Sequence, residues 1–154
     1  MYGSKKKRVC NIAMITIRLR DLEKIFLYCR EELPIEACGI LSGKIKNSEG
    51  VAIKEVLKVY NCKNELNSPT EYKIGAEEQF KIFSELEGFN LRLLGFYHSH
   101  VSHPYLYSKP SSVDEERANY IGYSYLIITL NPEKVSSWIL EEKGLFTEEE
   151  IQTI

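Results

Sequence analysis

The apolar run Leu91 to Tyr97 ends in His98-Ser99-His100, and this junction constrains the fold more than any other segment. The run reads as a buried strand, and alternate residues of a strand point to one face. His98 and His100 therefore leave the core on the same side, where the backbone emerges into a cleft, and both imidazoles can reach one ion. Val101 to Pro110 then carries two prolines and several polar residues and predicts a loop. Ser111-Ser112-Val113-Asp114-Glu115-Glu116 has the capping signature of a short helix.

The segments around this strand predict layers to cover it. Val9 to Ile17 is β-branched and apolar and predicts a first strand. Leu19, Leu22, Ile25, Phe26, Cys29 and Leu33 recur at helical spacing, and Pro34 predicts the stop. Cys38 to Ser42 predicts a core strand, Gly43 to Gly50 a turn, and Val51 to Tyr60 the second strand of a hairpin. The asparagines of Asn61 to Thr70 mark a surface loop. Ala76 to Glu87 predicts a helix with Phe80, Phe83 and Leu86 on its apolar stripe, and Gly88 is placed to end it in a left-handed conformation. Tyr125 to Leu130 predicts a central strand, Asn131-Pro132 a turn, and Val135 to Leu140 a further strand; the acidic remainder ends in Ile151 and Ile154. Hairpins mixed with crossovers predict an α/β (α+β) fold, a sheet with helices packed on it and not a regularly alternating barrel.

With 154 residues, 44% of them hydrophobic, the chain can build one sizeable core, expected over residues 9–154 behind a basic tail at 1–8. The charge block Lys5-Lys6-Lys7-Arg8 reads as a solvated tail. Twenty basic against 22 acidic residues, net charge -2, give no general attraction to phosphate backbones, so no nucleic-acid partner is expected. Cys10, Cys29, Cys38 and Cys62 lack CxxC spacing, and reduced thiols in a cytoplasmic protein fit them best, although an even count leaves pairing open. No apolar run approaches the ~20 residues of a membrane span, and the N-terminus lacks the apolar core of a signal peptide. A soluble, unprocessed protein is expected.

The histidine pair acquires chemistry from what surrounds it. Asp114 would supply a third metal ligand and leave the fourth tetrahedral position to water, as in catalytic zinc sites. Each residue also has an ordinary role available. Two strand histidines can be satisfied locally, Asp114 and Ser111 are natural helix-capping residues, and Glu36 after a helix stop would by default be an exposed carboxylate. A base is needed to activate water, and Glu36 in Ile35-Glu36-Ala37-Cys38-Gly39 is the candidate. Ser111 could donate to the oxyanion formed when water attacks a carbonyl. Cys38, in an apolar strand, reads as a structural thiol.

Taken together, Pro34-Ile35-Glu36-Ala37-Cys38-Gly39-Ile40-Leu41, Gly95-Phe96-Tyr97-His98-Ser99-His100 and Pro110-Ser111-Ser112-Val113-Asp114 resemble the JAMM (MPN+) metalloprotease family across nearly the whole chain. The resemblance is to its stand-alone prokaryotic-type members. It implies one MPN-type domain, a mixed curved β-sheet flanked by helices in a cytidine-deaminase-like arrangement. It also implies one Zn2+ held by His98, His100 and Asp114, Glu36 as general acid/base, and Ser111 stabilising the tetrahedral intermediate. The implied reaction is hydrolysis of peptide or isopeptide bonds after the C-terminal tail of ubiquitin or a ubiquitin-like protein, sulfur-carrier proteins included. Such a tail could bind as an added strand. A non-catalytic MPN-type scaffold and a metallohydrolase of small peptides or amino-acid conjugates are the alternatives. One departure stands out. Val101 to Pro110 is three residues longer than the family pattern, which a bulged loop accommodates at little entropic cost. A rival ligand role falls to His103, inside that loop.

Overall fold

Strand formers at the head of the chain build β1 (Met14–Ile17), which leads into α1 (Leu19–Glu31); the computed structural model describes residues 14–102 and 107–154. The basic tail and the first residues of the expected opening strand lie outside the described residues. Along α1, Leu22, Ile25, Phe26 and Cys29 are buried as their spacing predicts. Leu19 and Leu33 are exposed, because Leu19 opens the helix and Leu33 lies beyond its end at Glu31.

A hairpin follows, β2 (Cys38–Ser48) and β3 (Val51–Cys62). The expected turn at Gly43 to Gly50 is far shorter. Strand β2 continues to Ser48, and the chain reverses at Glu49-Gly50, both with positive φ of 50° and 80°. Two left-handed central residues match the twist of a tight hairpin. Gly43 marks a bulge at Ser42/Gly43 instead of a turn, and a Cβ there would lie 1.8 Å from the Glu55 carbonyl oxygen.

Helix α2 (Ala76–Gly88) departs from the predicted stripe. Ile82 and Leu86 are its buried residues, Phe83 is half-buried, and Phe80 is 74% exposed. The apolar face is centred about one position further round the helix than the aromatic residues suggest. Gly88 is the last helical residue, and Asn90, φ 54°, takes the left-handed position expected of Gly88. The Leu91 N–H donates to the Leu86 carbonyl and the Asn90 N–H to that of Glu87, the paired bonds of a Schellman ending, which asparagine tolerates.

The remaining elements are β4 (Arg92–Ser99), α3 (Ser112–Arg117), β5 (Ser124–Leu130), β6 (Glu133–Glu142) and β7 (Leu145–Thr153). Strand β7, absent from the sequence expectation, pairs antiparallel with β6 and parallel with β1. The seven strands thus form one mixed sheet in the order β1-β3-β2-β4-β5-β6-β7, whose ends meet. The acidic run in β7 is not all solvated. Glu149 is 3% exposed and accepts from the Ser124 and Ser137 hydroxyls at 2.7 Å each, with Lys54 Nζ 3.6 Å from its other oxygen.

Strand β4 lies in the middle, antiparallel to β2 and parallel to β5. A register shift against Leu41/Ser42 leaves Leu94 as the extra residue and changes the parity of the strand. Leu94 and Tyr97 consequently join the core under α1 with Ile15, Ile25, Leu41 and Leu126. Phe96 joins the second core, with Ile40, Ile82, Leu86 and Tyr125. His98 lies on the Phe96 side, near the end of a strand buried from Leu94 onward.

Candidate metal centre

Both histidines are almost completely buried, His98 at 1% and His100 at 2% exposure. Backbone pairing sets them: His98 lies opposite Cys38 of β2 and Ile127 of β5, and the His100 N–H donates to the Ile128 carbonyl at 2.9 Å. Their Nε2 atoms are 3.1 Å apart. Asp114 reaches them from α3. Its Oδ1 is 3.1 Å from His98 Nε2 and its Oδ2 is 3.0 Å from His100 Nε2.

Asp114 is delivered by a capping box. The Asp114 N–H donates to Ser111 Oγ at 3.1 Å, and the Ser111 N–H donates to Asp114 Oδ2 at 2.9 Å. Helix capping and the site are therefore one device, because the bonds that start α3 also orient the carboxylate. Ser111 Oγ accepts in this box, so its own proton is free to donate elsewhere.

Glu36 is not the exposed carboxylate its position suggests; it is 3% exposed, and its Oε1 has no hydrogen-bond partner among the described residues. Its backbone is clamped on several sides. The Glu36 N–H donates to the Ser68 carbonyl, Asn64 Nδ2 donates to the Glu36 carbonyl at 3.0 Å, and the Ala37 N–H donates to Ser99 Oγ at 2.8 Å. That last bond ties the glutamate segment to the residue between the two histidines. Burial, and then the charges of Asp114 and Glu71, push the Glu36 carboxyl up to about 9. Burial lowers His98, against the pull of Asp114. Burial would raise Asp114, but His98, the bonds from both imidazoles and the Ser111 N–H hold it well below the usual carboxylate range.

Three supporting groups escape the sequence reading. Tyr72 stacks on His98 with ring centroids 4.5 Å apart and planes 20° from parallel. The Tyr107 carbonyl lies 2.6 Å from His100 Nδ1. Asn64 donates to the Glu36 and Glu71 carbonyls and accepts from the Leu66 and Lys73 N–H groups. Its segment reads in sequence only as polar loop, because nothing local tells a buried asparagine that satisfies backbone groups from a solvated one. An outer acceptor is thus present for His100, while His98 Nδ1 has none among the described residues and is held by stacking. His103, the rival ligand, lies outside the described residues.

The donor set fits a metal ion. His98, His100 and Asp114 each offer a ligand atom, all within 4.8 Å of one another. Tetrahedral zinc with bonds of 2.0–2.1 Å keeps its ligand atoms about 3.3 Å apart, close to the 3.0–3.1 Å separations found here. Three protein ligands are the number a catalytic zinc site uses. A cation would also oppose the repulsion that Asp114 imposes on the buried Glu36 carboxylate. Beside the triad opens a cavity of about 450 Å3, walled by Tyr72, Phe96, Tyr120, Tyr125 and Ile127, with His98 and Asp114 in its lining.

Comparison with known proteins agrees with this geometry. Residues 20–141 match the family described as prokaryotic homologs of the JAB domain. A desampylase of Pyrococcus furiosus is 36% identical over 117 residues, 76% of this chain and 75% of that one. A desampylase of Haloferax volcanii is 35% identical over 94 residues, 61% of this chain and 62% of that one. A solution structure from Desulfitobacterium hafniense superimposes with a TM-score of 0.78 at 30% identity, covering 92% of this chain and 93% of that one. Another, from Salinibacter ruber, gives 0.66 at 25% identity and covers 92% of each chain. The fold that buries the histidine strand is shared with the structures it superimposes on, and the match over residues 20–141 places this chain in the prokaryotic JAB family as a JAMM-type metalloprotease.

Proposed function

We propose that this protein is a zinc-dependent isopeptidase that releases ubiquitin-like proteins from the amines to which their C-terminal tails are joined. The observation that carries the reading is the convergence of two imidazoles and a carboxylate at 3.0–3.1 Å beside a buried glutamate. The identity shared with two desampylases supports the substrate class. His98, His100 and Asp114 would hold the ion. Bound there, zinc supplies Lewis-acid chemistry, lowering the pKa of water at the site towards about 7 and polarising the scissile carbonyl.

The chain's own residues do the rest. Glu36, whose carboxyl a cation held by the triad would draw back towards ionisation, accepts the proton of the attacking water and returns it to the leaving amine, shielded from bulk solvent and held by its backbone. The Ser111 hydroxyl, its oxygen anchored in the capping box, donates its free proton to the developing oxyanion. Tyr72 fixes the His98 ring plane by stacking. Cys38 takes no part: it is buried, and burial pushes its thiol well above its ordinary range.

The test compares wild type with Glu36→Gln on a ubiquitin-like protein joined through its C-terminus to lysine, with metal content measured on both. About one zinc per chain in each protein is expected, with cleavage reduced at least ~100-fold in the variant. Cleavage unchanged in Glu36→Gln would remove the glutamate from the mechanism. Turnover of short peptides but of no ubiquitin-like conjugate would transfer the assignment to a small-peptide hydrolase.

A further inference from the structure

We infer that Ser136 and Trp138 of β6 are positioning residues for the metal centre, acting through the backbone of residues 107 and 108 to hold the His100 ring with Nδ1 on the Tyr107 carbonyl and Nε2 towards the site. This rests on the reading of His100 as a ligand. A carbonyl oxygen can only accept, so the 2.6 Å contact between His100 Nδ1 and the Tyr107 carbonyl requires a proton on Nδ1. That bond turns the other ring nitrogen, Nε2, to the site, 3.1 Å from His98 Nε2 and 3.0 Å from Asp114 Oδ2. Whatever fixes the Tyr107 carbonyl therefore keeps His100 ready to coordinate.

The Tyr107 side chain is not that anchor, since it is 68% exposed. The next carbonyl is. Ser108 O accepts from the Ser136 hydroxyl and from Trp138 Nε1 at 3.0 Å, and Trp138 Nε1 also lies 2.9 Å from Ser136 Oγ. Two donors on one oxygen make a firm attachment for an otherwise exposed segment. The sheet register explains why the attachment bears on the site. His98 pairs with Ile127, and Ile127 pairs with Ser136, so the three share one row across β4, β5 and β6. Paired residues project from the same face, and neighbouring strands are about 4.8 Å apart. The anchor therefore stands about 10 Å from the histidine strand, on the side of the sheet that carries the site. Residues 107 and 108 bridge that gap, with one carbonyl on the anchor and the preceding one on the ligand.

The test uses the full chain carrying Ser136→Ala together with Trp138→Phe, which removes both donors and keeps an aromatic ring. Ser136→Thr, which keeps a hydroxyl, is the rescue control. In metal-free wild type, ring-nitrogen NMR is expected to show a proton held on His100 Nδ1 and protected from exchange with solvent. In the double variant that protection should be lost, and zinc affinity, read by competition with a chromophoric chelator, should fall about 10–100-fold, the usual effect of losing an outer-shell partner. Ser136→Thr should stay within about 3-fold of wild type. A folded double variant with the wild-type Nδ1–H signal and zinc affinity within 2-fold would overturn the inference. If the double variant does not fold, Ser136→Ala alone is read by the same two measurements. Were wild type to bind no zinc, the functional reading would fail, while the Nδ1–H signal would still decide this one.

Discussion

Glu149→Ala tests whether the ring of strands is closed by a buried charge. Glu149 of β7 accepts from Ser124 of β5 and Ser137 of β6 at 2.7 Å each, and Lys54 of β3 faces it at 3.6 Å while donating to Ser124 Oγ at 2.6 Å. Four strands meet at one carboxylate. Its removal leaves two buried hydroxyls without their acceptor and a cation, only 12% exposed at its side chain, without its counter-charge. Breaking one partner of a buried pair costs about 3–5 kcal/mol. Because Lys54 keeps bonds to Ser124 Oγ and the Gly122 carbonyl, the lower end of about 3 kcal/mol is expected. With a urea m-value of about 2 kcal/mol/M, the unfolding midpoint should drop by about 1.5 M. Glu149→Gln, which can still accept from both serines, should cost less.

The pH dependence carries a sign. Burial lowers the pKa of Lys54, and Glu149 opposes that shift. The unfolded chain therefore holds the lysine proton more tightly than the native one, and this group adds stability as pH rises through its native pKa towards the unfolded value. Without Glu149 the native pKa falls further, so the penalty of Glu149→Ala should shrink as pH rises from neutral towards the unfolded lysine value of about 10.4. A midpoint shift under about 0.5 M, or a penalty independent of pH, would mean that water already solvates the cluster and that the carboxylate does not hold the strands together.

Gly39→Ala should destabilise the protein by about 3 kcal/mol in the same urea assay, because its Cβ would lie 2.1 Å from the Tyr97 ring and 2.3 Å from the Tyr60 carbonyl oxygen, and the latter is backbone. Asn64→Ala strips partners from four backbone groups, so a loss of about 2–4 kcal/mol is expected, together with a fall in kcat as the Glu36 segment loosens; unchanged melting and kcat would show that solvent replaces those bonds. Ser111→Ala should cost about 1 kcal/mol through the lost cap and at least ~100-fold in kcat at full metal occupancy. A stability loss with kcat intact would leave Ser111 as a cap alone.

Local features of the chain were enough for the central strands, for the stripe Leu22, Ile25, Phe26 and Cys29, and for the cap at Ser111. They also single out His98, His100, Asp114 and Ser111, because histidines two apart at a strand end, and a serine three residues before an aspartate, express their geometry within a few residues; Glu36 becomes a candidate only beside them, through the base the chemistry needs and the family resemblance. Where several distant segments decide the outcome, those features did not suffice. Gly43 reads as a turn but is a bulge because the Glu55 backbone passes against it, and Gly88 yields the left-handed position to Asn90, whose N–H reaches the Glu87 carbonyl. Strand β7 reads as acidic tail because the partners that let Glu149 be buried come from β3, β5 and β6. Burial of Glu36, the stacking of Tyr72 on His98 and the carbonyl of Tyr107 on His100 are likewise properties of the assembled sheet. Residue type and spacing determined which groups could perform the chemistry; long-range packing alone decided which were dehydrated, which ring nitrogen His100 turns to the site, and how closely they approach.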